Sequence, residues 1–394
     1  MALRKKQRPA AKRRKQQPVR ISAYQRGHIA GFERGKADGF QQGRADALSS
    51  NTTAIAERTK ADVLVIAAGF IPSLDIGVIQ PFNELKNRGN FNFEVMGEDE
   101  VSKEMIAAAN TVVFVRNVEP AAYTLMELAH QLRKQTVYVI DDNFLEMDPG
   151  TPVGLYYCEP ERRETFIKFL KNAKTVKVDA LELGEYIQKR YNNNVVYFPG
   201  SVDFAWIDQQ SKDERNDMQV VIGYEGGVKE EDFAPVIPAL KKILDYYGGF
   251  VRLEFFGFVP ASLEGHPSVS YEEGGMDYRS FIRKLKQCTW DIGLAPLHNH
   301  SFNNSKTNNK FREYAACQIP GIYSKSPVYT PWVTHGETGY LAPHTEEGWY
   351  EGIRKLIEDP EMRHRIKENA EAAARQHFSL DTCVENWNKY IFKP

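Results

Sequence analysis

Short apolar runs rich in β-branched residues alternate with amphipathic segments from residue 60 onward. Five such runs predict buried strands, at 62–67, 111–115, 136–140, 175–178 and 195–198. Between them, apolar residues spaced for one helix face predict helices near 120–134, 160–173 and 180–191. Strands that alternate with helices in this way are typical of βαβ units, so the pattern predicts a parallel sheet.

The same alternation starts again after a polar stretch at 208–217, which we interpret as a linker. The second series predicts strands at 219–223, 251–256, 291–295 and 319–323, and helices at 231–247, 277–287 and 309–317. Three further helices, near 346–358, 361–376 and 380–391, end the sequence. Two successive α/β domains form a cleft, and ligands bind such folds at the carboxyl ends of the strands.

Charge is distributed unevenly along the chain. The formal net charge of the 394 residues is −1, yet residues 1–20 contain nine Lys or Arg and no acidic residue. Without those nine, 42 basic residues face 52 acidic ones, which gives the remainder a formal charge of −10. Residues 1–20 cannot bury a core, so we expect a disordered basic arm that attracts polyanions or simply aids solubility.

A short glycine repeat follows the basic arm. Residues 31–38 and 39–46 are similar octapeptides, and with Gly27 they place a glycine at every fourth position up to Gly43. On a helix these glycines would form one smooth stripe suited to close packing against a partner. Each interior glycine costs about 1 kcal/mol relative to alanine, so a loosely helical linker is the other interpretation.

Several classes of protein are excluded by what the sequence lacks. No apolar run approaches ~18 residues, and no apolar core follows the basic residues, which argues against a spanning helix and a secretory signal. The four cysteines lack paired spacing, which predicts free thiols, and therefore a cytoplasmic location. His298 and His300 alternate in a loop without further ligands, so we predict no metal site.

The strongest candidate for chemistry is the strand–loop–helix segment at 291–320. A strand ends at Pro296, a polar loop follows, and a helix begins near Thr307 or Asn308, two residue types that cap helices well. The free backbone N–H groups at such a helix start attract an anion. Lys306 and Lys310 add positive charge there, and Glu313, one turn further, is placed to accept hydrogen bonds from sugar hydroxyls.

This segment resembles the C-terminal signature of the retaining GT-B glycosyltransferases of glycosyltransferase family 4. The resemblance rests on residues 291–297, 303–306, 309–316 and 319–320 in their order and spacing. Residues 223–227, 333–341 and Trp349 support it, and residues 140–144 resemble the Asp-Asp segment of the family. It covers roughly 135–392 and is strongest over 285–345.

The resemblance implies a donor site for a nucleotide diphosphate-sugar, with UDP-sugars favoured. It assigns Glu313 to the donor ribose and Lys306 and Lys310 to the diphosphate. The other donor residues that it implies are Gly223, Gly226, Gly227, Asn303, Ser305 and Asn309. Ser305 stands where the family has a glutamate facing the transferred sugar, so the identity of that sugar does not follow from the resemblance.

Asp141 and Asp142 follow a predicted strand directly. Adjacent residues on a strand point to opposite sides, so we expect one aspartate to bind an acceptor or sugar hydroxyl and the other to cap the next element. The pair is not an Asp-x-Asp motif, and the resemblance implies that cations of the protein, rather than a metal or other cofactor, stabilise the leaving diphosphate. We therefore predict Lys306, Lys310 and Asp142 as the catalytic residues.

The fold expected from this resemblance is GT-B, with two Rossmann-like domains facing a central cleft and a basic, glycine-repeat N-terminal extension. The predicted boundaries are 1–58 for the extension, 59–207 completed by 378–394 for the acceptor domain, and 218–377 for the donor domain. The implied reaction is sugar transfer, with retention, to a hydroxyl of a glycan, a protein or a modified nucleic acid. A silent nucleotide-sugar-binding module and a nucleic-acid-directed protein guided by the basic arm are the alternatives.

Overall fold

A computed structural model of the protein describes residues 62–89 and 91–393. The basic arm and the glycine repeat, predicted within 1–58, lie outside the described residues. Within the described residues, twelve strands form two sheets of six, and every neighbouring pair of strands in these sheets is parallel. The two α/β series predicted from the sequence are therefore present. The four cysteines are free thiols, as predicted.

The first sheet has the order β2-β1-β3-β4-β5-β6. Its strands are β1 Val63–Ala67, β2 Phe93–Gly97, β3 Thr111–Val115, β4 Gln135–Ile140, β5 Thr175–Val178 and β6 Val195–Tyr197. The order reverses direction between β1 and β3, because β2 lies on one side of β1 and all later strands on the other. In sheets of this kind the reversal opens a crevice at the carboxyl ends of the two strands.

Helices cover both faces of the first sheet. They are α1 Pro72–Leu74, α2 Gln80–Asn87, α3 Lys103–Ala108, α4 Pro120–Gln131, α5 Pro152–Cys158, α6 Pro160–Asn172, α7 Leu181–Arg190 and α8 Phe204–Ile207. A wider helical turn, Asp75–Ile79, joins α1 to α2, and a short 3₁₀ turn, Phe144–Glu146, follows β4.

The second sheet has the order β12-β11-β10-β7-β8-β9. Its strands are β7 Val220–Glu225, β8 Val251–Phe256, β9 Val269–Glu272, β10 Ile292–Ala295, β11 Gly321–Ser324 and β12 Tyr340–Ala342. Here the order reverses between β7 and β10, so a second crevice lies at the carboxyl ends of these strands.

The helices of the second half complete the architecture. They are α9 Glu230–Phe233, α10 Val236–Tyr247, α11 Tyr278–Gln287, α12 Ser301–Asn304, α13 Asn309–Ala316, α14 Glu346–Glu358, α15 Pro360–Phe378 and α16 Leu380–Trp387. Short 3₁₀ turns at Gly248–Phe250 and Ala261–Leu263 and a final wide turn at Asn388–Phe392 make up the rest.

The end of the chain returns to the first sheet. Trp387 on α16 is fully buried, contacts the ring of Phe82 on α2 at 4.8 Å between centroids, and donates its indole N–H to the carbonyl of Gly77. The two segments that pass between the halves meet where the N–H of Val202 donates to the carbonyl of Phe378 at 2.7 Å. The two crossings therefore run side by side behind the cleft.

Candidate active site between the two sheets

A cavity of about 380 Å³ lies between the two halves and is lined by residues of both. Arg116, directly after β3, and Asp141, directly after β4, line it from the first half. Glu225, the last residue of β7, and Pro296, directly after β10, line it from the second half. The cavity therefore joins the carboxyl edges of both sheets, where α/β proteins bind their ligands.

Helix α13 begins at the edge of this cavity, and Asn309, Lys310 and Glu313 on its first turns line it. The side-chain cap predicted for this helix is wrong. Asn308 occupies the N-cap without a side-chain hydrogen bond to the helix, and the hydroxyl of Thr307 instead accepts from Arg312 at 3.3 Å. The first backbone N–H groups of α13 therefore have no side-chain acceptor at the cap.

Lys310 is held by the end of β7. Its ammonium donates to the carboxylate of Glu225 and, at 2.5 Å, to the carbonyl of the same residue. The rings of Tyr224 and Tyr314 lie 4.9 and 5.9 Å from the nitrogen. Lys310 is thus held beside the loop after β7. An anion that binds there would compete with the carboxylate of Glu225 for the ammonium group of Lys310.

Two further ammonium groups, those of Lys229 and Lys306, line the same cavity. Lys229 donates to Asp232 at 3.0 Å, and Lys306 lies 4.5 Å from the ring centre of Phe302. Burial lowers the pKa of Lys229, and the nearby charge of Lys306 lowers it further. Two cations that raise each other's energy in this way are stabilised when an anion binds between them.

Glu313 is buried, with 7% of its surface exposed. Burial, and then the charge of Glu225, raise the pKa of Glu313 to about 7, against the opposing effects of Lys310, Arg312 and a hydrogen bond from Tyr278. A carboxyl group in this state changes its charge near neutral pH and can accept two hydrogen bonds once it is ionised.

The three glycines predicted to bind the donor, one within β7 and two directly after it, have different roles. Gly226 has a φ of 137°, a conformation that glycine adopts readily. Its carbonyl oxygen also lies so close to Gly257 that a Cβ at position 257 would be only 2.8 Å away. Gly227 has open space around its Cα. Gly223 lies inside β7, where a Cβ would collide with the ring of Trp290 at 1.8 Å. The structure brings Gly226 and Gly227 to the loop beside Lys310, whereas Gly223 is a packing residue within the sheet.

Asn303 and Ser305, predicted as donor-binding residues, are buried but do not line the cavity. The amide of Asn303 donates to Asp232 at 2.8 Å and to the carbonyl of His298 at 3.0 Å. The hydroxyl of Ser305 donates to the carbonyl of Ser301 at 2.9 Å. Both side chains therefore hold the loop around α12 in shape.

Asp141 and Asp142 both face Arg116, so the prediction that they point to opposite sides is wrong. The guanidinium contacts both carboxylate oxygens of Asp141, and its Nη2 donates to Asp142 at 3.2 Å. Neither aspartate caps the following turn, whose N-cap is Asn143 without a side-chain bond. The chain bends as soon as β4 ends at Ile140, so strand alternation no longer applies.

Asp141 and Asp142 differ in how far nearby positive charges offset their own. Burial raises the pKa of Asp141, but the Arg116 guanidinium more than offsets it, and the net shift is downward. Burial and the Asp141 charge raise the pKa of Asp142, partly opposed by Arg116, Lys306 and Lys229. Asp141 is therefore ionised, whereas the negative charge of Asp142 is less fully offset by the cations around it.

Arg116 was not predicted as a site residue, because it belongs to no motif. One feature of the sequence points to it. Like Asp141, Arg116 is the first residue after an apolar strand, and the carboxyl ends of parallel strands lie at one edge of the sheet, so the two side chains are expected to be close. Among residues 62–89 and 91–393, no group of three or more His, Cys, Asp or Glu side chains is arranged to hold a metal ion. In the same ranges, no helix has the length and apolar character that crossing a bilayer requires.

Comparison with known proteins identifies the fold. The protein is similar to Alr3699/HepE from Anabaena in complex with UDP and glucose, with a TM-score of 0.61 and 14% identity over 85% of this chain and 100% of that one. A glycosyltransferase from Rickettsia africae gives a TM-score of 0.61 and 13% identity over 85% and 100%. Sucrose-phosphate synthase from Thermosynechococcus elongatus gives 0.59 and 12% over 83% and 98%.

Sequence comparison adds one local match. Residues 310–373 match the family model described as "Glycosyl transferases group 1". No curated protein matches this chain by sequence. The matched stretch begins at Lys310 and includes Glu313, both of which line the cavity. The predicted GT-B architecture of two Rossmann-like domains is confirmed by the similarity to these structures.

Proposed function

We propose that this protein is a glycosyltransferase that moves a sugar from a UDP-sugar to an acceptor hydroxyl with retention of the anomeric configuration. One observation carries the proposal: Lys310 and Glu313, at the start of the stretch that matches the glycosyltransferase family model, lie together in the cavity between the two sheets. Alr3699/HepE, which shares the fold, has been crystallised with UDP-glucose, which supports UDP as the nucleotide.

In this proposal the second half of the protein binds the donor. The carboxylate of Glu313 accepts from the two ribose hydroxyls, because one carboxylate offers two acceptor oxygens. Lys306, Lys310 and Lys229, together with the start of α13, bind the diphosphate. The loop at Gly226 and Gly227 allows the phosphates to approach the backbone.

The proposed reaction breaks the bond between the anomeric carbon and the phosphate oxygen, and the electron pair leaves with UDP. The acceptor oxygen bonds to the same face of the anomeric carbon, and its proton passes to the departing phosphate. Negative charge grows on the diphosphate as the bond breaks, so the lysines stabilise the transition state more than the bound donor. We propose that these protein cations take the place of a divalent metal.

The first half supplies the acceptor side. Asp142 lines the cavity with a carboxylate that Arg116 contacts through only one oxygen, which suits it to orient an acceptor hydroxyl. Both carboxylate oxygens of Asp141 accept hydrogen bonds from Arg116, so in this proposal Asp141 affects the acceptor only by positioning Arg116. We assign catalysis to Lys306 and Lys310 on the leaving group and to Asp142 on the acceptor.

The test is a donor panel with the full chain. UDP-glucose, UDP-galactose and UDP-N-acetylglucosamine, with GDP-mannose for comparison, are incubated with and without EDTA, and released nucleotide is measured. We expect release from at least one UDP-sugar, unchanged by EDTA, and NMR of the released or transferred sugar should show the donor's anomeric configuration. An inverted product contradicts retention, and UDP binding without release from any donor identifies a silent binding module.

A further inference from the structure

The first-domain end of the cavity is built around a single arginine in an unusual backbone conformation. Arg116 has a φ of 57°, in the left-handed region that few residues other than glycine adopt. It stands at the carboxyl end of β3, where the strand order of the first sheet reverses. Conformational strain of this kind is maintained where the surrounding structure fixes the residue in place.

The guanidinium of Arg116 is only partly used by its neighbours. Its Nε and Nη2 groups bind Asp141, and Nη2 also reaches Asp142 and, at 3.5 Å, the hydroxyl of Ser73. Within the described ranges, its Nη1 and the Oδ1 of Asp142 have no hydrogen-bond partner. Because both residues line the cavity and Nη2 of Arg116 already reaches Oδ2 of Asp142 at 3.2 Å, this end of the cavity has one donor group and one acceptor atom left for a ligand.

The charge of this cluster restricts what can bind there. One guanidinium faces two carboxylates, so the group formed by Arg116, Asp141 and Asp142 has a net charge of −1 when both acids are ionised. The cations across the cavity, Lys229, Lys306 and Lys310, are assigned to the donor diphosphate in the proposed function. An anionic acceptor would therefore meet a negative cluster on one side and a diphosphate on the other, at a substantial Coulombic cost.

We propose that the group formed by Arg116 and Asp142 is a subsite for an uncharged polyol, and that it rejects acceptors with a carboxylate or phosphate beside the bound hydroxyls. One hydroxyl of the ligand donates to Oδ1 of Asp142, and its neighbour accepts from Nη1 of Arg116. Hydroxyl groups can do both, whereas a carboxylate or phosphate can only accept. This inference rests on the proposed function and specifies its acceptor.

The experiment compares neutral polyols with anionic counterparts of the same hydroxyl pattern. Methyl glucoside and methyl glucuronide, methyl galactoside and methyl galacturonide, and glycerol and glycerol 3-phosphate are titrated into the full chain by ligand-observed NMR, with and without UDP. We expect at least one neutral probe to bind, and its anionic counterpart to bind at least tenfold more weakly, with a larger ratio when UDP is present. Anionic probes that bind equally or better, or no binding by any neutral probe, overturn the proposal.

Two variants assign the selectivity to the cluster. Asp142→Asn removes one negative charge at nearly constant shape, so the ratio between neutral and anionic probes should fall to about threefold or less. Arg116→Lys keeps the charge that Asp141 needs but loses the fork of donors, so binding of the neutral probe should weaken at least fivefold. Thermal melting verifies the fold of each. A ratio that Asp142→Asn leaves unchanged contradicts the proposal.

UDP affinity, measured separately by calorimetry, distinguishes this inference from the proposed function. If UDP fails to bind the wild-type chain, the proposed function fails regardless of the polyols. If UDP binds and the neutral probes show no preference, the assignment of the donor site stands and the polyol subsite is wrong.

Discussion

The two sides of the cavity hold their charges in opposite ways. On the first-domain side, Arg116 binds Asp141 through both oxygens and also reaches Asp142, so one guanidinium faces two carboxylates and a net charge of −1 remains when both acids are ionised. On the second-domain side, Lys306 has no ion pair among the described residues, and burial together with Lys306 lowers the pKa of Lys229. The first-domain side therefore keeps a net negative charge, and the second-domain side keeps one ammonium group that no described carboxylate pairs.

This difference indicates how the two substrates of the proposed reaction would divide the cavity. On the second-domain side, Lys229 and Lys310 are paired with Asp232 and Glu225, whereas the ammonium group of Lys306 has no ion pair among the described residues. A free positive charge beside a helix start favours a highly charged anion such as a diphosphate. A cluster of net charge −1 with one spare donor and one spare acceptor favours uncharged hydroxyl groups, which can both donate and accept hydrogen bonds. The predictions below test whether the division is real, in order of decreasing expected effect.

Removal of a donor-side cation should have the largest effect. Lys310→Met and Lys306→Met should each weaken UDP binding by about 1.5–3 kcal/mol, roughly 10- to 150-fold, and leave uridine binding nearly unchanged, because charge-assisted bonds to phosphate are lost. Calorimetric titration with UDP and uridine measures both. Lys241→Met, an exposed lysine on α10, is the matched control and should change neither affinity.

The double variant Lys310→Met/Glu225→Gln guards against a folding artefact, because Glu225 is buried and loses its ion-pair partner in the single variant. The double variant should fold at least as stably as the single one and still bind UDP weakly. If it regains wild-type UDP affinity, Lys310 serves only to neutralise Glu225 and does not bind phosphate.

The ribose contact should have a smaller effect. Glu313→Gln should weaken UDP by about 1–2 kcal/mol and leave dUDP unchanged, because the amide has one acceptor oxygen where the carboxylate has two. A comparison of UDP and dUDP affinities in wild type and variant measures this. If both nucleotides lose affinity equally, Glu313 acts only on the structure of the site.

The preference for UDP over dUDP should depend on pH. Because the pKa of Glu313 is raised to about 7, the carboxyl keeps its proton below that pH and accepts two hydroxyls only above it. The ratio of the two affinities should therefore rise between about pH 6 and about pH 8, and titration of the phosphates cancels because both nucleotides share it. In Glu313→Gln the ratio should be flat, and a rise in that variant would assign the titration to another group.

The same pKa predicts a stability effect of known sign. A folded-state pKa above the unfolded value means that Glu313 contributes stability at low pH, and this contribution is lost as the pH rises through about 7. Thermal melting of Glu313→Gln should therefore equal that of wild type near pH 5 and exceed it near pH 8. A variant that melts lower than wild type at both pH values contradicts this account of the buried carboxyl.

Ser305→Ala should have the smallest effect. The hydroxyl of Ser305 donates to the carbonyl of Ser301 within one turn and does not reach the cavity, so its loss should cost about 1 kcal/mol of stability and leave UDP affinity unchanged. Thermal melting and calorimetry measure the two quantities. A large loss of UDP affinity in Ser305→Ala, comparable to that in Lys306→Met, would place the donor against a different face of this loop.

The interior strands of each sheet could be predicted from the sequence, whereas of the four edge strands only β6 was predicted. Central strands such as β3 and β4 are buried on both faces, so they appear as continuous apolar runs. The unpredicted strands β2, β9 and β12 lie at the sheet edges, where partial exposure breaks the run. Helix α2 was missed as well, because it continues from two short irregular turns without a capping signal.

Residues that line the cavity were predicted both in helix α13 and in loops, where Lys306, Asp141 and Asp142 lie. Lys310 and Glu313 follow from the helix period of α13, and both line the cavity. The structural roles of Ser305 and Gly223 could not be predicted from the sequence. The side chain of Ser305 bonds within a four-residue helix, and Gly223 packs against the ring of Trp290, which is distant in the sequence. To predict Arg116 as a site residue, one must know the strand order, because the pairing of β3 with β4 brings their carboxyl ends together.

Hydrogen–deuterium exchange of the full chain with and without UDP tests the division of the cavity most directly. The account predicts slower exchange on UDP binding in the loop after β7, around residues 226–229, and at the start of α13, with little change after β3 and β4, around residues 116–118 and 141–144. Protection confined to the segments after β3 and β4, with none at 226–229 or at the start of α13, would contradict it.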